Sequence, residues 1–386
     1  MKNTPKHKRV VLVAHKYLTQ PDDDLVSYLT QQQYDDILHI CHSFIDAPDR
    51  KSYYRWYKDG KLFQEHFSWD YKGLPEPLLY LKEYFYTCWW VWQTRFRWDT
   101  YIGMDGLCVL FGNTLRALGR VKQTVFWAID FVPEARFSSR LKNWVYHTIN
   151  THGYEHSDQM WDLSPRMAEA REKYLGFPES KYKVRRLVPY GSWTERIRHF
   201  AWAECKQHQL VFMGILLEKQ GVQLVLQAIP EIIQQVPDFH FVIIGGGPYR
   251  QELEKLAAEL KISKYCTFTG KIPDHVELEK IIAESGLAVA PYIAKLDTWT
   301  YYADPGKVKT YLACGVPVVL TDLPWNAKDI EKAQAGVLIQ ETPQAVAQAV
   351  VRIMKTKDGD RYRNNAIKFA QSYSYETMFK RVETYL

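Results

Sequence analysis

The chain has 386 residues, 46% of them hydrophobic and 24% charged, enough for two domains of ordinary size in the range of globular proteins. The net charge of +6 is mild and suits an anionic ligand or a membrane surface as well as neither. The six cysteines form no CxxC pair, which excludes the common zinc and redox spacings and suits a reducing cytosol, and no run of about 18 apolar residues predicts a spanning helix.

The basic start "MKNTPKHKRVVLVAHKY" has an apolar run too short for a signal-peptide core and reads instead as a first strand, 9–14. "DILHICHSF" (36–44) and "LFQEHFSW" read as strands, and "EPLLYLKEYFYTCWWVWQTRFRW" (76–98) as a helix. Strands are expected at 99–104, 124–130, 159–164 and 182–191, with helices in "LCVLFGNTLRALG" and "RLKNWVYHTIN" between them. Such alternation predicts a parallel sheet covered on both faces.

Residues 192–209 carry no strong apolar repeat and are expected to form a linker between an N-terminal domain, 1–191, and a C-terminal domain, 210–365. The second domain alternates cleanly. Strands are expected at 210–214, 239–247, 266–272, 286–293, 316–321 and 336–340, with amphipathic helices between them. Residues 366–386 close the chain as helices placed to pack back on the N-terminal domain. The whole is expected to be an α/β protein of two Rossmann-like, doubly wound parallel-sheet domains facing a cleft, where ligands of open α/β sheets bind.

Two stretches bear on chemistry. In "IIGGGPYRQELE", Gly245, Gly246 and Gly247 join a strand to a helix, a turn that either is simply tight or admits a nucleotide or sugar to the backbone. The spacing is not the dinucleotide GxGxxG. In "YYADPGKVKTYLACGVPVVLTD", Asp304 suits an N-cap, Pro305 suits N1 and Gly306 adds no side chain over the helix end. Lys307 then stands in the first turn, where the helix dipole disfavours a cation. A phosphate would repair that misfit. An ordinary capped helix with solvated lysines remains the alternative.

At this point the second half resembles the nucleotide-binding domain of GT-B glycosyltransferases, most closely glycosyltransferase family 4 (group 1). The resemblance rests on five blocks in family order: "VFMGILLEKQGVQLVLQAIPEI", "FHFVIIGGGPYRQELEKLA", "CTFTGKIPDHVELEKIIAESGLAVAPY", "DPGKVKTYLACGVPVVLTD" and "AGVLI". It implies a sugar nucleotide bound mainly by this domain, with its diphosphate at the helix that Asp304, Pro305, Gly306 and Lys307 begin, and its base near Gly270, Lys271 and Ile272. It implies further donor contacts from Gly214, Lys219 and Thr310. The match departs from the family at two glutamates that many members carry here, replaced by Tyr302 and Thr310, and at a phosphate-binding arginine, replaced by Ile215. Retention of anomeric configuration, no resident cofactor or metal, a nucleotide-sugar donor and a saccharide or lipid-linked acceptor are what the resemblance implies. No nucleic-acid partner is expected. The expected location is the cytoplasm, at the inner face of the cell membrane.

Acceptor-side candidates come from position. Asp105 and Asp130 end strands, where they either face the cleft as catalytic groups or cap the segment that follows. Arg136, Asp162 and Ser164 lie at or near strand ends in the same way. His147, His152 and His156 cluster without a metal-ligand spacing. The aromatic segment 76–98 is suited either to pack against the sheet or to meet a membrane interface. Rival readings are a non-catalytic sugar-nucleotide-binding subunit, motivated by the missing glutamates, and a nucleotide-sugar epimerase of the same fold.

Overall fold

The computed structural model describes residues 8–16, 21–44, 51–70, 73–296 and 298–386. The chain divides into two compact units, Met1–Pro189 with Phe379–Leu386, and Tyr190–Met378.

In chain order, the first unit contains β1 (Arg9–Lys16), α1 (Pro21–Gln31), β2 (Asp36–Ser43), β3 (Tyr53–Lys58), β4 (Lys61–Phe67), α2 (Glu76–Gln93), β5 (Trp98–Gly103) and α3 (Gly106–Ala117). It continues with β6 (Val121–Ala128), α4 (Arg140–His156), β7 (Gln159–Asp162), α5 (Arg166–Leu175) and β8 (Arg185–Leu187). The eight strands form one sheet in the order β4-β3-β2-β1-β5-β6-β7-β8. Six of them run parallel, from β2 through β8, as the alternation of strands and helices predicts. The edge is an antiparallel hairpin, β3–β4, that turns at Asp59–Gly60, both in the left-handed region. Its first strand, "YYRWYK", lacks the strict alternation that marks a strand, because its aromatic rings pack on neighbouring elements: Tyr54 lies 5.2 Å from Trp90 of α2 and Tyr53 5.7 Å from Phe67 of β4.

The second unit contains β9 (Lys206–Met213), α6 (Val222–Gln235), β10 (His240–Ile244), α7 (Arg250–Glu259), β11 (Cys266–Gly270), α8 (His275–Ala283), β12 (Ser285–Ala290), α9 (Thr298–Tyr302) and α10 (Gly306–Ala313). After them come β13 (Val318–Thr321), α11 (Ala327–Lys332), β14 (Gly336–Ile339), α12 (Pro343–Met354), α13 (Gly359–Gln371) and α14 (Tyr375–Glu383), the last of which ends among residues of the first unit. The sheet order is β11-β10-β9-β12-β13-β14, all parallel. This is the doubly wound order, with the direction of winding reversed between β9 and β12.

Each face of the second sheet carries its own core. Val222, Val225, Leu226, Ile229 and Ile232 of α6, at helical spacing, pack with α12 on one face. Val308, Tyr311 and Leu312 of α10 pack with α8 and α13 on the other. Residues 192–205 are also tied into this unit. Trp202 is buried against Gly359, where a Cβ would lie 2.1 Å from the indole, and its backbone N–H donates to Asp360 at 2.8 Å.

Candidate functional site

In an open α/β sheet the ligand crevice lies outside the carboxyl ends of the strands where the winding reverses. In the second unit that point is marked by Gly214 after β9 and Tyr292 after β12. Backbone hydrogen bonds lace the neighbouring loops together: Gly214 N–H donates to Ile244 O at 2.9 Å, Leu216 N–H to Gly246 O at 2.9 Å, and Gly245 N–H to Gly270 O at 2.8 Å. A Cβ on Gly245 would fall 1.9 Å from Gly214 O, and one on Gly247 2.4 Å from Leu216 O. Those two glycines therefore serve the packing of loop on loop. Gly246 differs: it is exposed, and a Cβ there would meet nothing within 4 Å.

Helix α10 begins beside these loops. Its N-cap residue is Pro305, no side chain caps it, and a Cβ on Gly306 would meet nothing within 4 Å. The first turn thus opens its N–H groups to space, a ready anion site. Lys307 reaches from that turn across the switch point. Its Nζ donates to Gln220 Oε1 at 2.5 Å, lies 4.2 Å from the Phe212 ring centre and 5.2 Å from that of Tyr292, and sits over Gly214, where a Cβ would come within 2.7 Å of it. Gly214 is thus the residue that leaves room for the ammonium. Tyr311, one turn on, pins the helix to β9 by donating to Met213 O at 3.4 Å and accepting from Met213 N–H at 2.7 Å.

Several expected donor residues gather here and others do not. Lys219 gives its backbone carbonyl to Ile293 N–H at 3.0 Å, and it is the neighbouring Gln220 that meets Lys307. Gly270 adopts the left-handed conformation, φ 74°, with Lys271 exposed and Ile272 packed on the core. Thr310 Oγ1 bonds back to Gly306 O at 3.3 Å.

Asp304 is a correction. It does not cap α10. Pro305 is extended (φ −70°, ψ 108°), so the helix starts one residue later and the carboxylate turns inward. There it is buried and accepts from Lys309 Nζ at 2.6 Å, Trp325 Nε1 at 2.9 Å and Tyr190 N–H at 2.8 Å. Lys309 is buried in that pair, with the Tyr373 ring 4.5 Å away. The pair anchors the start of the helix and offers nothing to an anion.

In the first unit the winding reverses between β1 and β5. His15, at the end of β1, is buried there, with Nδ1 2.6 Å from Asp105 Oδ2 and Nε2 3.0 Å from Glu83 Oε2. Burial opposes a charged His15, but Asp105, Cys108 and Glu83 outweigh it and raise its pKa well above the ordinary range. Burial likewise opposes an ionised Asp105, and His15 overcomes it, holding the carboxyl below the usual range. Asp105 also caps α3 by accepting from Cys108 N–H at 2.9 Å, the capping role open to it in the sequence, and its side chain keeps 34% exposure. His42 contrasts: burial, with His15 and Lys82 nearby, keeps it neutral, and Ser52 and Thr87 each bond it at 2.8 Å.

Asp130 pairs with Arg136 at 2.5 Å and stays 40% exposed, while Arg136 lies over the Tyr146 ring at 5.3 Å. Asp162 is a second correction. It is fully buried, gripped by Arg171 and by Arg185 Nε at 2.7 Å, and Ser164 is buried beside it. A carboxylate so engaged holds β7, α5 and β8 together and is not presented to an acceptor. The histidine group of α4 does not converge: His147 bonds Glu134 O, while His152 and His156 stack at 4.1 Å.

Among the described residues, two triads place ligand-type atoms close enough for a cation, His15–Asp105–Cys108 and Asp22–His39–Cys41. In each, carboxylate and imidazole already satisfy one another as an ion pair, which a cation would have to displace. His15 and Glu83 escaped sequence reading, although His15 follows the first strand just as Asp105 follows a later one.

The two sheets, each wound in both directions, define the GT-B fold. Residues 207–356 match the family of glycosyl transferases group 1. Over 113 residues it is 31% identical to the GDP-mannose-dependent alpha-(1-6)-phosphatidylinositol monomannoside mannosyltransferase of Mycolicibacterium smegmatis, covering 28% of each chain. Over 260 residues it is 25% identical to the putative colanic acid biosynthesis glycosyltransferase WcaL of Escherichia coli, covering 66% of this chain and 61% of that one. The chain thus spans between 28% and 61% of the length of these relatives. Among solved structures it is similar to HepE of Anabaena in complex with UDP, with a TM-score of 0.71 and 13% identity over 98% of this chain and 99% of that one, a likeness of fold alone.

Proposed function

We propose that this protein transfers a sugar from a nucleotide-diphosphate donor to a hydroxyl of a saccharide or lipid-linked acceptor, with retention at the anomeric carbon, in synthesis of a cell-envelope glycan or glycolipid. The observation that carries the reading is the uncapped start of α10 with Lys307 laid across the switch point beside Gly214. Charge that grows on a departing diphosphate would meet fixed N–H dipoles and an ammonium there, the arrangement that stabilises such a leaving group. The leaving phosphate oxygen then accepts the acceptor's proton, so no separate carboxylate base and no resident cofactor is assigned. Asp130 and Asp105, each about a third exposed or more, are the groups left to hold acceptor or sugar hydroxyls. The relative that depends on GDP-mannose and the fold neighbour bound to UDP make GDP- and UDP-sugars the donors to try first. The expected place of action is the cytoplasmic face of the cell membrane.

The test is a donor panel read by thermal shift. One of the uridine, guanosine or adenosine diphosphates should raise the melting temperature, and the rise should vanish in Lys307→Ala. A rise that persists in that variant removes the phosphate role.

A second reading is kept by Thr310, which bonds its own helix where many members have a glutamate. A non-catalytic subunit would bind donor yet release no nucleoside diphosphate with any acceptor.

A further inference from the structure

Helix α2 is turned inside out. Between Pro77 and Thr94 its only charged residues are Lys82 and Glu83, and both are buried, Glu83 against His15. Leu78, Leu81, Phe85, Trp89 and Trp92, at spacings of three and four, face outward instead. Leu81 and Phe85 keep 63% and 60% of their surface, and the Phe85 and Trp89 rings stack on the outside at 6.2 Å. Core packing does not require this. The helix already packs inward through Leu79, Trp90 and Val91, and its outer stripe, from Leu78 to Trp92, is about 21 Å long at 1.5 Å per residue.

Charge at the ends of the stripe identifies what covers it. Arg95 and Arg97 follow the helix and are exposed, and the Arg120 guanidinium lies 4.7 Å from the Trp92 ring. At the other end Lys142 meets Glu76 at 2.5 Å, beside the exposed Leu141 and Trp144 of α4. The flanking carboxylates Glu76 and Asp99 are engaged by Lys142 and Lys122. From Pro77 to Trp98, then, the only exposed charges are two arginines. A second copy packed parallel through the same patch by a two-fold axis would set arginine against arginine, and one packed antiparallel would set the arginines against a carboxylate already engaged by Lys142. No helix among the described residues is long and apolar enough to cross a membrane. Leucine, phenylalanine and tryptophan on one face with arginines at the rim suit a helix lying in the plane of an anionic lipid surface.

We infer that the outer face of α2 is a docking surface for an anionic lipid bilayer, with Leu81, Phe85 and Trp89 entering the interface and Arg95 and Arg97 meeting lipid phosphates. This deepens the reading of an envelope transferase, and rests on that reading only for its purpose. Vesicle binding is measured without donor or acceptor, so its outcome is separate from the outcome of a transfer assay.

The experiment is co-sedimentation of the full chain with vesicles of phosphatidylcholine, with and without about one third phosphatidylglycerol. The chain should bind the anionic vesicles. Leu81→Ser/Phe85→Ser/Trp89→Ser should lower that binding by about tenfold or more. Arg95→Gln/Arg97→Gln should lower it by about fivefold per arginine and abolish the preference for anionic lipid. Since all five side chains point outward, melting temperatures should stay near that of the parent, and a parent-like melt makes the comparison decisive. Failure of the parent chain to bind vesicles, or equal binding by the serine variant, overturns the inference. So does a dimer in solution that the serine variant converts to monomer, which would assign the face to a second copy.

Discussion

Replacing Asp304 with alanine separates its two possible roles. The carboxylate lies in a buried set with Lys309, Trp325 and the backbone of Tyr190, and the ammonium of Lys309 is 1% exposed. Removing one partner leaves the other charge buried without its counter-ion, at a cost of about 3–5 kcal/mol. For a unit of this size about 1 kcal/mol moves the melting temperature by about 2–4 °C, so a fall of roughly 10 °C is expected in the second unit's transition. Restoring neutrality in Asp304→Ala/Lys309→Met should recover most of it, since the two effects are strongly coupled. Differential scanning calorimetry of parent, single and double variants reads both. A single variant that melts within about 2 °C of the parent while donor affinity falls tenfold would refute the reasoning, because it would make Asp304 a donor ligand as the sequence suggests.

Three further outcomes are expected. Lys307→Met should lower kcat/KM for the nucleotide sugar by about 10²–10³-fold with little change in melting temperature, read by steady-state release of nucleoside diphosphate. Gly306→Ala places a methyl where nothing lies within 4 Å, so the fold should be untouched, while KM for donor should rise by about tenfold if phosphate occupies that space. For His39, burial opposes the charge, but Cys41 and the hydrogen bond to Asp22 push the pKa up to about 10, above the ordinary 6.5 of an unfolded histidine. The folded state then holds a proton that the unfolded state has lost, so this contribution is full below pH 6.5 and declines as pH rises toward 10, by at most about 1.4 kcal/mol per pH unit. Urea denaturation across that window should show the decline, and His39→Gln should flatten its share of it.

The second unit is readable from sequence because its strands are short continuous apolar runs and its helices carry one clean apolar face, as in 222–232. The first unit is less so. Helix α1 begins with Pro21 and three aspartates, and the hairpin strand β3 is made of aromatic and basic residues whose partners lie on α2 and β4. The glycines are legible as constraints, but sequence does not separate Gly245 and Gly247, which let one loop pack on another, from Gly246, which faces open space. Lys307 is legible because a cation at a helix start is a misfit. Pairings across the chain are not: His15 with Glu83 and Asp105, or Asp162 with Arg171 and Arg185, join side chains whose separation no local pattern encodes. Asp304 was misleading for a related reason, since Asp-Pro-Gly reads as a cap until the extended Pro305 turns the carboxylate toward Lys309.

The central claim is that the start of α10 receives the diphosphate of a sugar nucleotide that is then turned over. Release of nucleoside diphosphate from GDP- and UDP-sugars by the purified chain, with an envelope lipid or saccharide fraction as acceptor, tests it most directly. The account predicts release that depends on the acceptor, transfers the labelled sugar to it, and falls by at least about a hundredfold in Lys307→Met. Turnover of any of these donors at an undiminished rate in that variant would contradict it.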